Sequence, residues 1–144
     1  MTKEDKKVRI QEEDFSVEIE IKELLATSKL IGGVVTFLGT ARDFSEGKNV
    51  ETIEFEEYKG MALKALKKLQ IEMLSRFDII EARIIHRVTS VKPGEQIVLI
   101  VVGAEHRKEA FTACQWCIDT LKETVPIWKK ELTPDGESWV TSHP

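Results

Sequence analysis

Apolar residues fall along this chain in two rhythms, and each change of rhythm marks an element boundary. Over residues 18–29 they recur at helical spacing, which predicts a helix with Ile19, Ile21, Leu24 and Leu25 turned inward. Gly32-Gly33 interrupts that pattern, and VVTFLGTA at 34–41 is rich in β-branched and aromatic residues, the mark of a strand. A polar loop follows, Arg42-Asp43-Phe44-Ser45-Glu46-Gly47. Residues 50–58 alternate in part, with Ile53 and Phe55 on one face. Met61, Ala65, Leu66, Leu69, Met73 and Leu74 then predict a helix over 60–76. Residues 79–89 form a further strand, and Pro93-Gly94 supplies turn chemistry. The run from Ile97 to Val102 is continuously apolar, as expected of a strand covered on both faces. Near the end, IWKKEL and ESWV can pair across TPDG as a terminal hairpin. Residues 1–14 are dense in charge and are expected to fray, apart from a short strand at Val8 to Ile10. With no repeat or linker in sight, the order of elements predicts one α+β domain over 1–144 with mixed or antiparallel pairing.

The stretch from His106 to Glu131 organises the rest. It opens on a basic pair, His106-Arg107, and continues as a helix whose apolar stripe runs through Phe111, Cys114, Ile118, Leu121 and Val125. Pro126 ends it, because its ring clashes with the preceding turn and it has no N–H to donate. Arg107 and Lys122 fall on the same side of this helix, separated by roughly 22 Å of helical rise. A small substrate cannot touch both within one chain. If both serve one site, that site is shared by two copies of the chain across a two-fold axis.

Composition narrows the class. The 144 residues are 42% hydrophobic and 32% charged, values of a globular domain rather than a disordered chain. A net charge of −4 argues against non-specific nucleic-acid binding, which needs a basic face. No apolar run is long enough to span a bilayer, and MTKEDKKVRI has no secretory core, so a cytoplasmic location is expected. Cys114 and Cys117 form a C-x-x-C. Zinc needs further ligands than His86, His106 and His143 supply by spacing, and redox pairs sit at a helix N-terminus rather than two turns in. Packing cysteines are the favoured reading; neither a metal nor a cofactor is expected.

Arg42, His106, Arg107, Lys122, Lys129 and Lys130 are the candidate functional side chains. No nucleophile motif and no phosphate-binding glycine pattern accompanies them. Cations imply an anionic substrate, and a phosphorylated one suits guanidinium donors. Two lysines meeting in a partly dry cleft would depress each other's pKa by like charge and by desolvation. A lysine so tuned can shuttle a proton or be attacked by an activated acyl group. Solvated cations near a helix end would carry the same spacing without any of this chemistry.

GGVVTFLGTARDFSEG, EYKGMALKAL, IIHRV followed by PGE, VVGAEHRKEAF, LKETVPIWKKE and TPDGESWV stand in an order that resembles the molybdopterin synthase catalytic (large) subunit, the MoaE family. The likeness runs over residues 14–141 without a large gap. It implies an α/β-hammerhead fold and a sulfurtransferase of molybdenum cofactor biosynthesis. Such an enzyme converts cyclic pyranopterin monophosphate, precursor Z, into molybdopterin by adding two dithiolene sulfurs. The sulfur arrives as a thiocarboxylate on the Gly-Gly C-terminus of a small subunit with a ubiquitin-like fold. Two large subunits form a central homodimer with one small subunit at each end, a heterotetramer.

The resemblance also implies roles. Lys122 and Lys129 look like the two catalytic lysines, Lys122 in proton transfer and handling of the acyl tail, Lys129 in orienting substrate and stabilising negative charge. Thr40, Ala41 and Arg42 resemble the substrate-contacting end of the first core strand, and Lys130 and Glu131 extend the contact around Lys129. His106 and Arg107 match the pair that reaches the phosphate from the neighbouring subunit. Ile118 stands where some members carry methionine, Thr40 where a lysine can occur, and His143-Pro144 where a charged tail continues in others. His86-Arg87 fits the family pattern too, with structural hydrogen bonding as its expected role. Two other readings compete: a non-catalytic dimeric scaffold that binds a ubiquitin-like tail, which would not need Lys122 or Lys129, and an RNA-binding module using Trp128 and the lysines, which the acidic balance disfavours.

Overall fold

The computed structural model describes residues 2–45, 48–58 and 60–140. Their order is α1 (Lys3–Lys7), β1 (Val8–Gln11), α2 (Val17–Leu25), β2 (Gly33–Thr40), β3 (Phe44–Ser45), β4 (Lys48–Asn49), β5 (Thr52–Glu57), α3 (Met61–Arg76), β6 (Glu81–Arg87), β7 (Thr89–Val91), β8 (Gln96–Ala104), α4 (Arg107–Thr124), β9 (Ile127–Thr133) and β10 (Gly136–Val140). Two four-stranded sheets carry the architecture, ordered β1-β6-β8-β2 and β10-β9-β5-β7. The first is mixed, since β1 pairs parallel with β6 while β8 runs antiparallel to both β6 and β2. The second is antiparallel throughout and ends in the β9–β10 hairpin. This is the mixed and antiparallel α+β arrangement that the pattern of elements predicts. Glu46, Gly47 and His143-Pro144, in the predicted polar loop and at the end of the chain, lie outside the described residues.

The continuous apolar run does what such a run predicts. From Ile97 to Val102 every residue of β8 is buried, because α4 and α3 pack on one face of the first sheet and α2 on the other. The α2 face holds a small second core of Phe15, Leu24, Ile85, Leu99 and Val101. Gly103 makes its close packing possible: a Cβ there would sit 2.7 Å from Leu24 Cδ2 and 3.1 Å from Ile31 Cδ1.

Two expectations about inward faces need correction. Of the four residues assigned to the inner side of the first long helix, Leu24 is buried, whereas Ile19 is 53% and Leu25 44% exposed. The helix stops at Leu25, so only one turn of its stripe reaches the sheet. In α4 the buried line runs through Ala110, Ala113, Cys114, Cys117, Ile118 and Leu121, while Phe111 is 61% exposed. Small residues let α4 lie close on β2 and β8, and the large ring at 111 is left on the flank.

Beneath the chain's start, charge is buried but paired. Glu20 accepts from Arg9 Nη2 at 2.7 Å and from Arg83 Nε at 2.8 Å, and Lys7 bridges Glu4 and Glu81 at 2.7 and 2.6 Å. These contacts tie β1 and α1 to β6 and α2.

Candidate active site

The end of α4 and the start of β9 supply the two lysines. Leu121 is fully buried and anchors the last turn, while Lys122, its neighbour, is exposed. The Val125 N–H closes the helix on the Leu121 carbonyl at 3.1 Å, and Pro126 turns the chain directly into β9. Along β9 side chains alternate between faces, and burial alternates with them: Ile127, Lys129 and Glu131 inward, Trp128 and Lys130 outward.

Lys129 is therefore a cation on the inner face of a sheet. Its side chain is 5% exposed, and its Nζ stands 3.9 Å from Glu131 Oε2, itself 4% exposed. Directly across β5 from Lys129 is Phe55, whose ring meets the edge of His86 at 5.4 Å between centroids. His86 is fully buried, and its Nδ1 donates to the Arg87 carbonyl at 2.6 Å. Arg87 in turn donates to the carbonyls of Glu12 and Gln96 at 3.1 and 3.0 Å, so both residues have the structural bonding expected of them.

Lys130 occupies the other face. Its Nζ lies 3.5 Å from Glu54 and 3.7 Å from Glu137, and 5.3 Å from the centre of the Trp139 ring. Partial burial works against its charge, but the carboxylates of Glu137, Glu54 and Glu56 outweigh it and hold its pKa above the ordinary lysine value. Nearby, Tyr58 and Trp128 meet edge to face at 6.2 Å. The three neighbours Lys129, Lys130 and Glu131 thus do not share a face; strand geometry joins only the first and last.

Thr40, Ala41 and Arg42 lie where β2 leaves the sheet, just past a register shift between Gly39 and Thr40. Ala41 is buried and clamped through its backbone, donating to the Glu95 carbonyl at 2.9 Å and accepting from Gly94 N–H at 2.8 Å. Gly94 has φ +88°, a conformation open to glycine and strained for other residues. Thr40 and Arg42 flank this clamp with exposed side chains. The polar loop after it contains a two-residue strand pair, β3 with β4.

At the other end of α4, His106 is the N-cap and Arg107 the first helical residue, both exposed. They border an open depression of about 400 Å³ together with Gly32, Glu105 and Lys108. Unpaired N–H groups and the positive end of the helix dipole favour an anion there. Gly32 is a residue that hydrophobic pattern alone marks only as a breaker: a Cβ on it would overlap the Glu105 carbonyl oxygen. Its missing side chain lets the chain turn tightly into His106, and a Cβ on Gly33 would stand 3.6 Å from Arg107 Cα, an ordinary contact.

The two cysteines are core. Cys114 is 4% and Cys117 0% exposed, and burial pushes the Cys114 thiol up to about 11. Cys117 is driven higher still, by burial and by its neighbour Cys114. Among the described residues no group of three or more His, Cys, Asp or Glu is arranged to hold a metal ion, and no helix is long and apolar enough to cross a membrane.

Known proteins share both sequence and architecture. The chain is 44% identical over 128 residues, 89% of its length and 85% of the relative's, to a molybdopterin synthase catalytic subunit of Pyrococcus abyssi. The crystal structure of molybdopterin synthase from Staphylococcus aureus superposes with a TM-score of 0.85 at 32% identity, covering 97% of this chain and 98% of that one. A molybdopterin biosynthesis MoaE protein from Burkholderia ambifaria gives 0.80 at 43% identity, covering 92% and 87%. Since the model of the MoaE protein family also matches residues 10–124, from the first sheet to the last turn of α4, the chain belongs to the MoaE family.

Proposed function

We propose that this chain is the catalytic subunit of a molybdopterin synthase. It would convert cyclic pyranopterin monophosphate into molybdopterin, taking two sulfurs from the thiocarboxylated C-terminus of a small ubiquitin-like subunit. The observation that carries this reading is Lys129, an amine 5% exposed inside the second sheet with Glu131 as its counter-charge. Lysine is rarely buried in this way without a task or a partner. Here it has both: Glu131 holds the ammonium against the sheet, and the fixed positive charge suits an oxyanion or thiolate developing beside it.

Lys122 plays the mobile part. Exposed on the last turn of α4, it is free to follow the partner's acyl tail and to give or take protons there. Thr40, Ala41 and Arg42 would meet the substrate where β2 leaves the sheet, with Ala41 clamped through its backbone and Arg42 exposed to offer a guanidinium. Lys130 acts from the opposite face, holding β9 to β5 and β10 through Glu54 and Glu137 and so fixing the register that presents Lys129. Both thiols are closed in the core, which fits sulfur delivered by another chain.

The site takes His106 and Arg107 from a second copy. Along the α4 face that joins Arg107 to Lys122, Phe111 and Gln115 are exposed, an apolar ring set between two cations. Pairing two such faces about a two-fold axis covers Phe111 and brings the start of one helix toward the end of the other. The Arg107 end, with its helix N-terminus, then receives the substrate phosphate.

Reconstitution tests the assignment. Purified chain mixed with thiocarboxylated small subunit and cyclic pyranopterin monophosphate should yield molybdopterin, and omitting any component should stop it. Lys122→Ala should abolish product while the complex between the subunits still forms. Undiminished turnover by that variant would remove the assignment.

A further inference from the structure

The side of the molecule away from α4 holds a second cationic recess. Arg83 stands on β6 opposite Val101, on the α2 face of the first sheet, with a side chain only 4% exposed. Two of its three guanidinium nitrogens are committed: Nε to Glu20 at 2.8 Å, and Nη2 to Glu23 at 2.7 Å and to the Lys6 carbonyl at 3.1 Å. Nη1 has no acceptor among the described residues, yet it is not among the buried polar atoms sealed from solvent. Arg83 lines a cavity of about 320 Å³ between α1 and α2. A guanidinium pinned on two sides, with its third nitrogen unbonded, is pre-organised to donate.

The rest of the lining adds charge of the same sign. Lys3, Lys6 and Lys7 border the cavity with Arg83, against Glu4 and Glu23 as the carboxylates. Lys7 is occupied by Glu4 and Glu81, and Glu23 by Arg83. Lys3 and Lys6 form no ion pair among the described residues, so both ammonium groups remain available at the recess. Bonding within the fold accounts for Glu20, Glu23 and Glu81, but it leaves Nη1, Lys3 and Lys6 without acceptors.

We propose that this recess binds a small phosphate-bearing anion of two or more negative charges. Nη1, the guanidinium nitrogen not already bonded, would donate to the anion, and Lys3 and Lys6 would close over the rest. The site is separate from the one at α4, because β6 and β8 stand between them.

The test is a residue-resolved NMR titration of the full chain with sodium pyrophosphate, run beside citrate and beside sodium chloride at matched ionic strength. The expected result is saturable movement of the Lys6, Ala26, Thr27 and Arg83 amides with pyrophosphate. Citrate should bind more weakly and chloride should only screen. The surface double variant Lys3→Ala/Lys6→Ala, which leaves the Glu20 network whole, should weaken that binding roughly tenfold. Arg83→Lys, keeping the charge but losing the Nη1 donor, should weaken it as well. Shifts that never saturate, that chloride reproduces, that citrate matches, that are confined to His106–Lys108, or that persist undiminished in the double variant would each overturn the proposal.

Discussion

Lys129 Nζ lies 3.9 Å from Glu131 Oε2 with both side chains almost wholly buried, two residues apart on the inner face of one strand. Strand alternation alone makes them neighbours, and each cancels the charge the other brings into the sheet.

Fold and chemistry therefore separate between Glu131 and Lys122. Glu131→Gln removes the carboxylate 3.9 Å from a buried ammonium and should cost about 3 kcal/mol, near the lower end for breaking a buried pair. Lys122→Ala, on an exposed position, should stay within about 0.5 kcal/mol of the parent. Urea unfolding measures both. Only the second variant should combine unchanged stability with lost molybdopterin formation.

The acid limb of stability should be sensitive to Asp14. Gln96 donates to its Oδ1 at 2.8 Å, and that bond, opposed by partial burial and aided by the Phe15 N–H and the charge of Arg87, holds its carboxyl below the usual range. A depressed carboxyl contributes stability that is present above its unfolded pKa of about 3.9 and is lost as pH falls through the lower folded value. Asp14→Asn should therefore melt below the parent at pH 7, with the gap narrowing from about pH 4 downward. A gap that stays constant from pH 7 to pH 2 would contradict the linkage. Because Gln96 also pairs with Thr40 across the first sheet, loss of this brace should loosen the clamp at Ala41.

Cys114 and Cys117 should be silent in the native state. A thiol raised to about 11, as at Cys114, has little thiolate at pH 8, and burial blocks approach besides. A disulfide reagent should titrate neither cysteine in the folded chain on the timescale on which it titrates both in guanidinium. Prompt native reaction would mean that the α4 core opens.

Much of the fold is legible in the residues because single constraints acted alone. Pro126 could end α4 and nothing could override it, and a run as apolar as Ile97 to Val102 has only one place in a mixed sheet. Phe111 was harder. Helical spacing defines a stripe but not its centre, and here small residues, Ala110 and Ala113, took the middle so that the helix could lie close on the sheet. The short α1 has no apolar signal at all; it rests on the Thr2–Asp5 capping box and on charge pairs to distant β6. Lys129 follows the period of β9 faithfully, yet hydropathy reads a lysine as outward, so its inward place needed the register with Phe55 and the presence of Glu131. Gly32 shows in pattern only as an interruption; its part in seating Glu105 and His106 depends on a carbonyl far along the chain.

Sharing of the site between two copies can be tested without disturbing the interface. Arg107 and Lys122 lie at opposite ends of one 18-residue helix, roughly 22 Å apart in rise. Prepare Arg107→Ala and Lys122→Ala chains separately, each of which should be inactive or nearly so. Unfold and refold them together. In a mixed dimer, the Arg107→Ala chain still carries Lys122 and its mate still carries Arg107, so one of the two sites has both side chains. Random assortment makes half of all dimers mixed, and activity should return to about a quarter of the parent's per chain. If each site drew both residues from one chain, every site in the mixture would lack one of them, and refolding together would restore nothing. Phe111→Glu in both chains should prevent the recovery by keeping the chains monomeric, a state that sedimentation velocity reads directly.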